Sequence, residues 1–407
     1  MKRALKIVGG LLGLVLVAAG AFAALVAIRG IPRYKPGNIQ LAIEPTPQRV
    51  ARGEKLVRVL CAECHMDPVT RKLTGRQLID APPEFGPIFS KNITRHPEKG
   101  IGRWTDGELA YLLRTGVSRD GSYIPPYMAR LPHMADEDMA SILAFLRSDH
   151  PLTAPEAVDP PGRTKPSFLT KFLSTVAFGP LPYPEQPITA PAPSDQVSYG
   201  RYLVINLECW PCHSADFKTM NTMQPEKTPG FLGGGNPMRD LAGRIVPTAN
   251  LTADDATGIG RWSQTDFVNA VRKGVRPDGR PVLYPMQPFP ELDEQELAAM
   301  YAYLRSIPKI ANAVARAAPP APTDDNPGKK LYYRYGCYGC HGDAGVGTAD
   351  LRKNSEHYPS EAALIAWIKN APAIKPGTHM PQWEGVIPES EFPLLATYVR
   401  QLGAAAK

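Results

Sequence analysis

Cysteine is scarce in this chain, six residues in 407, and none lies outside a single motif. The six fall in Cys61-Ala62-Glu63-Cys64-His65, Cys209-Trp210-Pro211-Cys212-His213 and Cys337-Tyr338-Gly339-Cys340-His341. A structural zinc site, which takes four ligands and usually two such pairs in one fold, does not suit pairs more than a hundred residues apart. A thioredoxin-like redox pair is expected once, near a βαβ pattern, and needs no adjoining histidine. Six thiols are even in number and so compatible with disulfides, but pairing leaves the histidine after every second cysteine unexplained. Other absences narrow the field. No Gly-x-Gly-x-x-Gly opens a helix after a strand, so a flavin or dinucleotide fingerprint is missing. No long alternating strand pattern occurs. The net charge of +7 is mostly terminal: Lys2, Arg3, Lys6, Arg29, Arg33 and Lys35 precede the first acid, Glu44. The remainder is close to neutral, which gives no support to nucleic-acid binding.

What is present is the attachment signature of c-type haem. Its two thiols add to the haem vinyl groups, and the following histidine ligates the iron. Three copies imply three covalently bound haem c groups, with His65, His213 and His341 as proximal ligands and electron transfer as the leading function.

The early positive charges flank an uncharged run over 7–28, rich in Leu, Val and Ala. As a helix it extends about 33 Å, enough for a hydrocarbon core of roughly 30 Å. A cleaved signal peptide is the rival reading, with Ala21-Phe22-Ala23 as a possible cleavage site. Lys and Arg numbers on the two sides do not set an orientation. Haem c is attached outside the bacterial cytoplasmic membrane, so the expectation is an inner-membrane anchor with its N-terminus inside and the rest in the periplasm.

Residues 92–148 and 250–306 align without a gap at an offset of 158. Asn92-Ile-Thr94 answers Asn250-Leu-Thr252, and Gly100-Ile-Gly-Arg-Trp104 answers Gly258-Ile-Gly-Arg-Trp262. Asp120-Gly121 answers Asp278-Gly279, Met128 answers Met286, and Ala144-Phe-Leu-Arg-Ser148 answers Ala302-Tyr-Leu-Arg-Ser306. That period is a duplicated domain, not a solenoid repeat. The second copy carries ten extra residues before Asn250, around Gly233-Gly234-Gly235. All three haem motifs follow a Gly-x-x-Leu segment: Gly53/Leu56, Gly200/Leu203 and Gly328/Leu331.

The pattern predicts a mainly α chain: three tandem cytochrome c-type helical domains behind one N-terminal transmembrane helix. The expected divisions are a cytoplasmic N-terminus at 1–6, an anchor at 7–28 and a linker at 29–46. Domain 1 follows at 47–150, a Pro-rich linker at 151–195 and domain 2 at 196–310. An Ala/Pro linker at 311–325 leads to domain 3 at 326–407. The proline-rich linkers read as stiff spacers. Within the first, Phe168–Val176 is apolar enough to dock, on its own domain or against a partner. Capping boxes open helices at Thr105 and Asp293, Ser263 starts the counterpart of the former, and Gly116 and Gly274 close that pair. In the third domain Ser360 caps a helix over 361–369, and 391–402 is expected to end at Gly403.

Haem iron that only shuttles electrons needs a sixth ligand, commonly a thioether, which raises its potential. Met380 is the single methionine after the third haem motif. Met128 and Met286 share a register in the loop before the last helix of each repeat. Met134 competes in the first domain, whereas Met139 and Met300 sit in helical patterns and read as core. His133 or His96, and His379, are the histidine alternatives for haems one and three; the second domain has no distal histidine. Arg103, Trp104, Arg261 and Trp262 are candidate contacts for haem propionates, with a core tryptophan beside an exposed arginine as the equal alternative.

The shared pattern over about 50–307 resembles the triheme cytochrome c subunits of membrane-bound alcohol, gluconate and aldehyde dehydrogenases. The third domain is similar to a generic mono-haem cytochrome c, with Gly377-Thr-His-Met-Pro-Gln-Trp383. The resemblance implies a non-catalytic subunit that takes electrons from a dehydrogenase partner and passes them to quinone, an oxidase or a small cytochrome. It also implies haem attachment at Cys61/Cys64, Cys209/Cys212 and Cys337/Cys340, with Met128, Met286 and Met380 distal. Two other classes stay open: a haem enzyme of peroxidase or thiosulfate-oxidising type with one open haem, and a cytochrome subunit of a respiratory oxidase.

Overall fold

The computed structural model describes residues 2–79, 81–315, 322, 324–375, 378 and 380–405. His379 and much of the 311–325 linker therefore lie outside the described residues. The fold is mainly helical. Helix α1 (Lys2–Arg29) leaves Leu11, Leu14, Val15, Leu16 and Leu25 uncovered by protein. Among the described residues it is the one helix long and apolar enough to cross a membrane.

The first repeat contains α2 (Pro47–Leu60), α3 (Ala62–His65), α4 (Asp106–Thr115) and α5 (Asp136–Arg147). After α6 (Phe168–Val176), the second contains α7 (Gln196–Asn206), α8 (Cys209–His213), a hairpin of β1 (Pro237–Arg239) and β2 (Ile245–Pro247), α9 (Gln264–Val268) and α10 (Glu294–Ser306). The C-terminal unit has α11 (Pro327–Arg334), α12 (Tyr338–His341), α13 (Asn354–His357), α14 (Glu361–Ile374) and α15 (Phe392–Ala405).

Most helix boundaries follow from local chemistry. Thr105, Ser263 and Asp293 each cap a helix in a reciprocal pair with Glu108, Asp266 and Glu296. Gly116 (φ +82°) and Gly274 (φ +71°) end their helices in the left-handed region. The last turn before Gly274, Asn269–Lys273, is a π-turn rather than a continuation of α9. Asn370 leaves helical geometry ahead of Pro372, which kinks α14 just past the expected end at residue 369. The expected stop at Gly403 is not observed: α15 runs on to Ala405, because that glycine is packed in the helix against Leu351 and Asn354.

Each unit is closed by its first and last long helices crossing at a glycine. A Cβ on Gly53 would lie 1.9 Å from Ser141 O, one on Gly200 1.9 Å from Ala299 O, and one on Gly328 2.2 Å from Leu394 O. Only glycine permits that approach. The three Gly-x-x-Leu segments are thus the contact points of α2 with α5, α7 with α10 and α11 with α15, with Leu56, Leu203 and Leu331 buried beside them.

The two repeats do not keep separate cores. Phe145, Leu146 and Met139 of α5 belong to one continuous apolar cluster with Tyr202, Leu203 and Met300. Tyr202 donates to Asp138 Oδ2 at 2.6 Å and accepts from Ala135 N at 3.1 Å. Arg52 binds Asp138 through two nitrogens, at 2.8 and 3.1 Å, and also pairs with Glu296 of the other repeat. The C-terminal unit packs its own cluster around Tyr332, Trp383 and Phe392.

The 151–195 segment is not a free spacer. Asn92 Nδ2 donates to Glu156 O and Val158 O, both at 2.9 Å, Phe89 N donates to Thr164 Oγ1 at 2.9 Å, and Leu181 N donates to Thr115 O at 3.1 Å. These bonds strap it over the first repeat. Asn250 does the same for the next segment, donating to Ile310 O at 2.7 Å.

Candidate haem-binding sites

Each Cys-x-x-Cys-His segment forms a single helical turn, α3, α8 or α12, directly after the first helix of its unit. In all three, the histidine ring is held from its Nδ1 side by a backbone carbonyl. His65 reaches Lys91 O at 2.7 Å, His213 reaches Ala249 O at 2.8 Å, and His341 reaches Ala349 O at 2.6 Å. A carbonyl can only accept, so Nδ1 carries the proton and Nε2 presents a lone pair. Burial lowers the pKa of each ring, which favours the neutral form that metal ligation requires.

The cysteines form no disulfides. Burial pushes the thiols of Cys61, Cys209, Cys337 and Cys340 up to about 12, so they are poor thiolates. Half-buried thiols three positions apart beside an oriented imidazole suit thioether attachment better than exchange chemistry. Within the second segment the indole Nε1 of Trp210 is buried without an acceptor, a donor that a bound group with carboxylates can satisfy. The residues present therefore fit haem c.

Of the methionines expected as distal ligands, Met128 and Met286 lie half-buried on equivalent loops, and Met380 is half-buried against the C-terminal cluster. Met380 also lines a cleft of about 610 Å³ shared with Arg272, Lys273 and Pro288 of the second repeat. Met134, Met139 and Met300 are packed in the joint core of the repeats. The histidine alternatives have other partners: His96 Nδ1 accepts from Lys99 N at 3.0 Å and closes a turn, and His133 Nε2 meets Thr222 O at 2.8 Å.

The arginine–tryptophan pairs divide by side chain. Arg103 lies at the surface 3.5 Å from Glu98, Arg261 is exposed, and Trp104 and Trp262 pack at the edge of the joint core. The repeated Ala-Phe/Tyr-Leu-Arg-Ser segment has a structural use: Arg147 donates to Ile101 O at 2.9 Å and to Trp104 O, and its counterpart Arg305 donates to Gly260 O. The two repeated motifs are thus halves of one clamp.

The first and third Cys-x-x-Cys-His segments meet one loop of the second repeat. Gln287, next to Met286, donates to Glu63 inside the first segment. A Cβ on Gly339, inside the third segment, would lie 3.3 Å from Tyr284 N. The β1–β2 hairpin lies in the stretch lengthened in the second repeat and braces the same region. Its Arg244 binds Asp343 at 3.1 and 3.2 Å and lies over the Tyr338 ring at 5.0 Å. Sequence patterns carried no sign of Glu63, Gln287 or Arg244 as junction residues, because each acts across units.

Each of the three helical units carries a Cys-x-x-Cys-His turn with an oriented histidine. Residues 197–308 match the cytochrome c family, and residues 323–399 match cytochrome c oxidase, cbb3-type, subunit III. The chain is similar to a subunit of the nicotinate dehydrogenase of Pseudomonas putida, at 27% identity over 85% of this chain and 30% of that protein. It is similar to the alcohol dehydrogenase (quinone) cytochrome c subunit of Gluconacetobacter polyoxogenes, at 28% identity over 72% of this chain and 64% of that one. The fructose dehydrogenase cytochrome subunit of Gluconobacter japonicus is 26% identical over 78% of this chain and 68% of its own. Two stretches of the chain thus match cytochrome c-type family models, and its homologues include cytochrome c subunits of alcohol, fructose and gluconate dehydrogenases. It spans less than a third of the first relative and just under two thirds of the second.

Proposed function

We propose that the chain is a triheme electron relay, anchored in the bacterial inner membrane by residues 7–28 with its haem units in the periplasm. It takes electrons from a dehydrogenase partner and delivers them to quinone, an oxidase or a small cytochrome. Haem supplies an iron that cycles between two oxidation states, its potential set by axial ligand, burial and hydrogen bonding. The chain's part is to hold, orient and enclose. Cys61/Cys64, Cys209/Cys212 and Cys337/Cys340 attach the three groups, His65, His213 and His341 are the proximal ligands, and Met128, Met286 and Met380 are the distal ones. Arg103, Trp104, Arg261 and Trp262 remain candidate propionate contacts, to which Trp210 is added.

The observation that carries this reading is the threefold recurrence of the Nδ1-to-carbonyl bond, which leaves the same ring nitrogen for iron at all three motifs. Convergence on the Met286 loop supports the second haem as the middle of the chain. The match of 323–399 to an oxidase subunit model favours a second reading for the outlet, with the third unit facing an oxidase-type acceptor.

The test is a haem count with magnetic resonance on the oxidised, haem-loaded protein. Three haems per chain, all low-spin, are expected, falling to two in Cys337→Ala/Cys340→Ala. A high-spin fraction that binds cyanide would overturn the relay in favour of a haem enzyme.

A further inference from the structure

Helix α6 is amphipathic the wrong way round for a water-soluble surface. Its polar side chains Thr170 and Ser174 face the protein and are 1% and 0% exposed. Phe168, Leu169 and Val176 face outward at 49%, 40% and 53%. One helical stripe takes in Phe168, Leu169, Phe172, Leu173 and Val176, the i, i+4, i+8 spacing of a single face. A surface helix ordinarily turns that face to the core.

The inverted seating is built in by hydrogen bonds. Ser167 caps the helix through Thr170 N at 3.2 Å and donates to Glu84 O at 2.6 Å. Thr170 Oγ1 donates to Phe85 O at 2.8 Å. These bonds fix the polar face on the first repeat whatever lies outside.

What lies outside is indicated by α1. Phe172 meets Phe22 edge-on, ring centroids 6.2 Å apart, and Lys171 Nζ donates to Ala27 O at 3.3 Å. The stripe is therefore level with the last turns of the apolar helix, where Lys171 of α6 and Arg29 in the last turn of α1 are the basic residues. The medium that bathes α1 at that level bathes α6 as well. An apolar face flanked by cations is the arrangement of helices that lie in the plane of a membrane interface.

We infer that α6 is a second membrane contact, lying in the outer head-group layer with the Phe168–Val176 stripe against acyl chains. It fixes how the first repeat stands on the bilayer, which a single spanning helix leaves free to swivel. The inference rests on α1 being retained as an anchor, and the test separates the two.

The full-length, haem-loaded chain is placed in nanodiscs of phosphatidylcholine and phosphatidylglycerol that contain a phospholipid with a diazirine on its acyl chain. After illumination, labelled residues are mapped by mass spectrometry. Label on both α1 and α6 is expected, with loss of the α6 label in the Phe168→Ser/Leu169→Ser/Val176→Ser variant while α1 keeps its own. An unchanged visible spectrum shows that this variant is folded. Label confined to α1 overturns the inference, as does protection of α6 from hydrogen exchange by a dehydrogenase subunit without lipid label. If intact mass of the membrane-extracted protein shows α1 removed while α6 of that mature form still takes label in the same nanodiscs, the anchor reading falls and the interfacial helix stands.

Discussion

Gln287, the neighbour of Met286 in the second repeat, donates a hydrogen bond to Glu63, which sits between the two cysteines of the first attachment turn. Through that bond the expected distal loop of one haem rests on the expected proximal turn of another. Arg76 holds the same carboxylate from its other side at 3.2 Å.

Replacing Gln287 by alanine removes a buried donor to a charged group, at a cost of about 1.5–3 kcal/mol. The expected outcome is a lower thermal midpoint with haem content unchanged. Gln287→Glu sets two carboxylates together and lowers the midpoint further. A Gln287→Glu protein as stable as the parent would show that the contact contributes nothing.

Gly53→Ala and Gly200→Ala should destabilise, although alanine is the better helix former by roughly 0.5–1 kcal/mol. The added Cβ meets a carbonyl oxygen at 1.9 Å in both cases, and forcing α2 from α5, or α7 from α10, costs about 1–3 kcal/mol or more. Chemical denaturation monitored through the Soret band gives the sign directly, and a gain in stability would refute the crossing.

Glu208, just before Cys209, has a left-handed backbone (φ +59°), and burial pushes its carboxyl from 4.5 up to about 8, partly offset by Arg130. The folded state thus holds this proton more tightly than the unfolded one. Its contribution to stability is complete below pH 4.5 and is lost as pH rises through 8. Glu208→Gln, which cannot titrate, should flatten the decline in thermal midpoint across that window. An identical pH profile for parent and variant would rule the group out.

Local chemistry was legible in the sequence. The caps at Thr105, Ser263 and Asp293 and the ends at Gly116 and Gly274 each depend on residues within a few positions, so pattern suffices to find them. Contacts over long separations were not. The repeated arginines, Arg147 and Arg305, stood out as repeats, but their use as clamps on the Gly-Ile-Gly-Arg-Trp loops requires the tertiary path. The merging of two repeat cores could not be read, because Tyr202 and Phe145 would be equally apolar in separate domains. The ten added residues before Asn250 were visible as extra length alone, yet the hairpin in that stretch places Arg244 on Tyr338 of another unit. The proline-rich 151–195 segment misled for a related reason: its backbone groups find Asn92 and Phe89, partners that composition does not reveal.

The separation of Glu63 and Gln287, 224 residues, also has a temporal meaning. A chain made from its N-terminus at about 5–20 residues per second presents the first attachment turn roughly 10–45 s before the loop that covers it exists. For that interval the contact between the first attachment turn and the second repeat does not exist, so the tie between the two repeats forms late in synthesis.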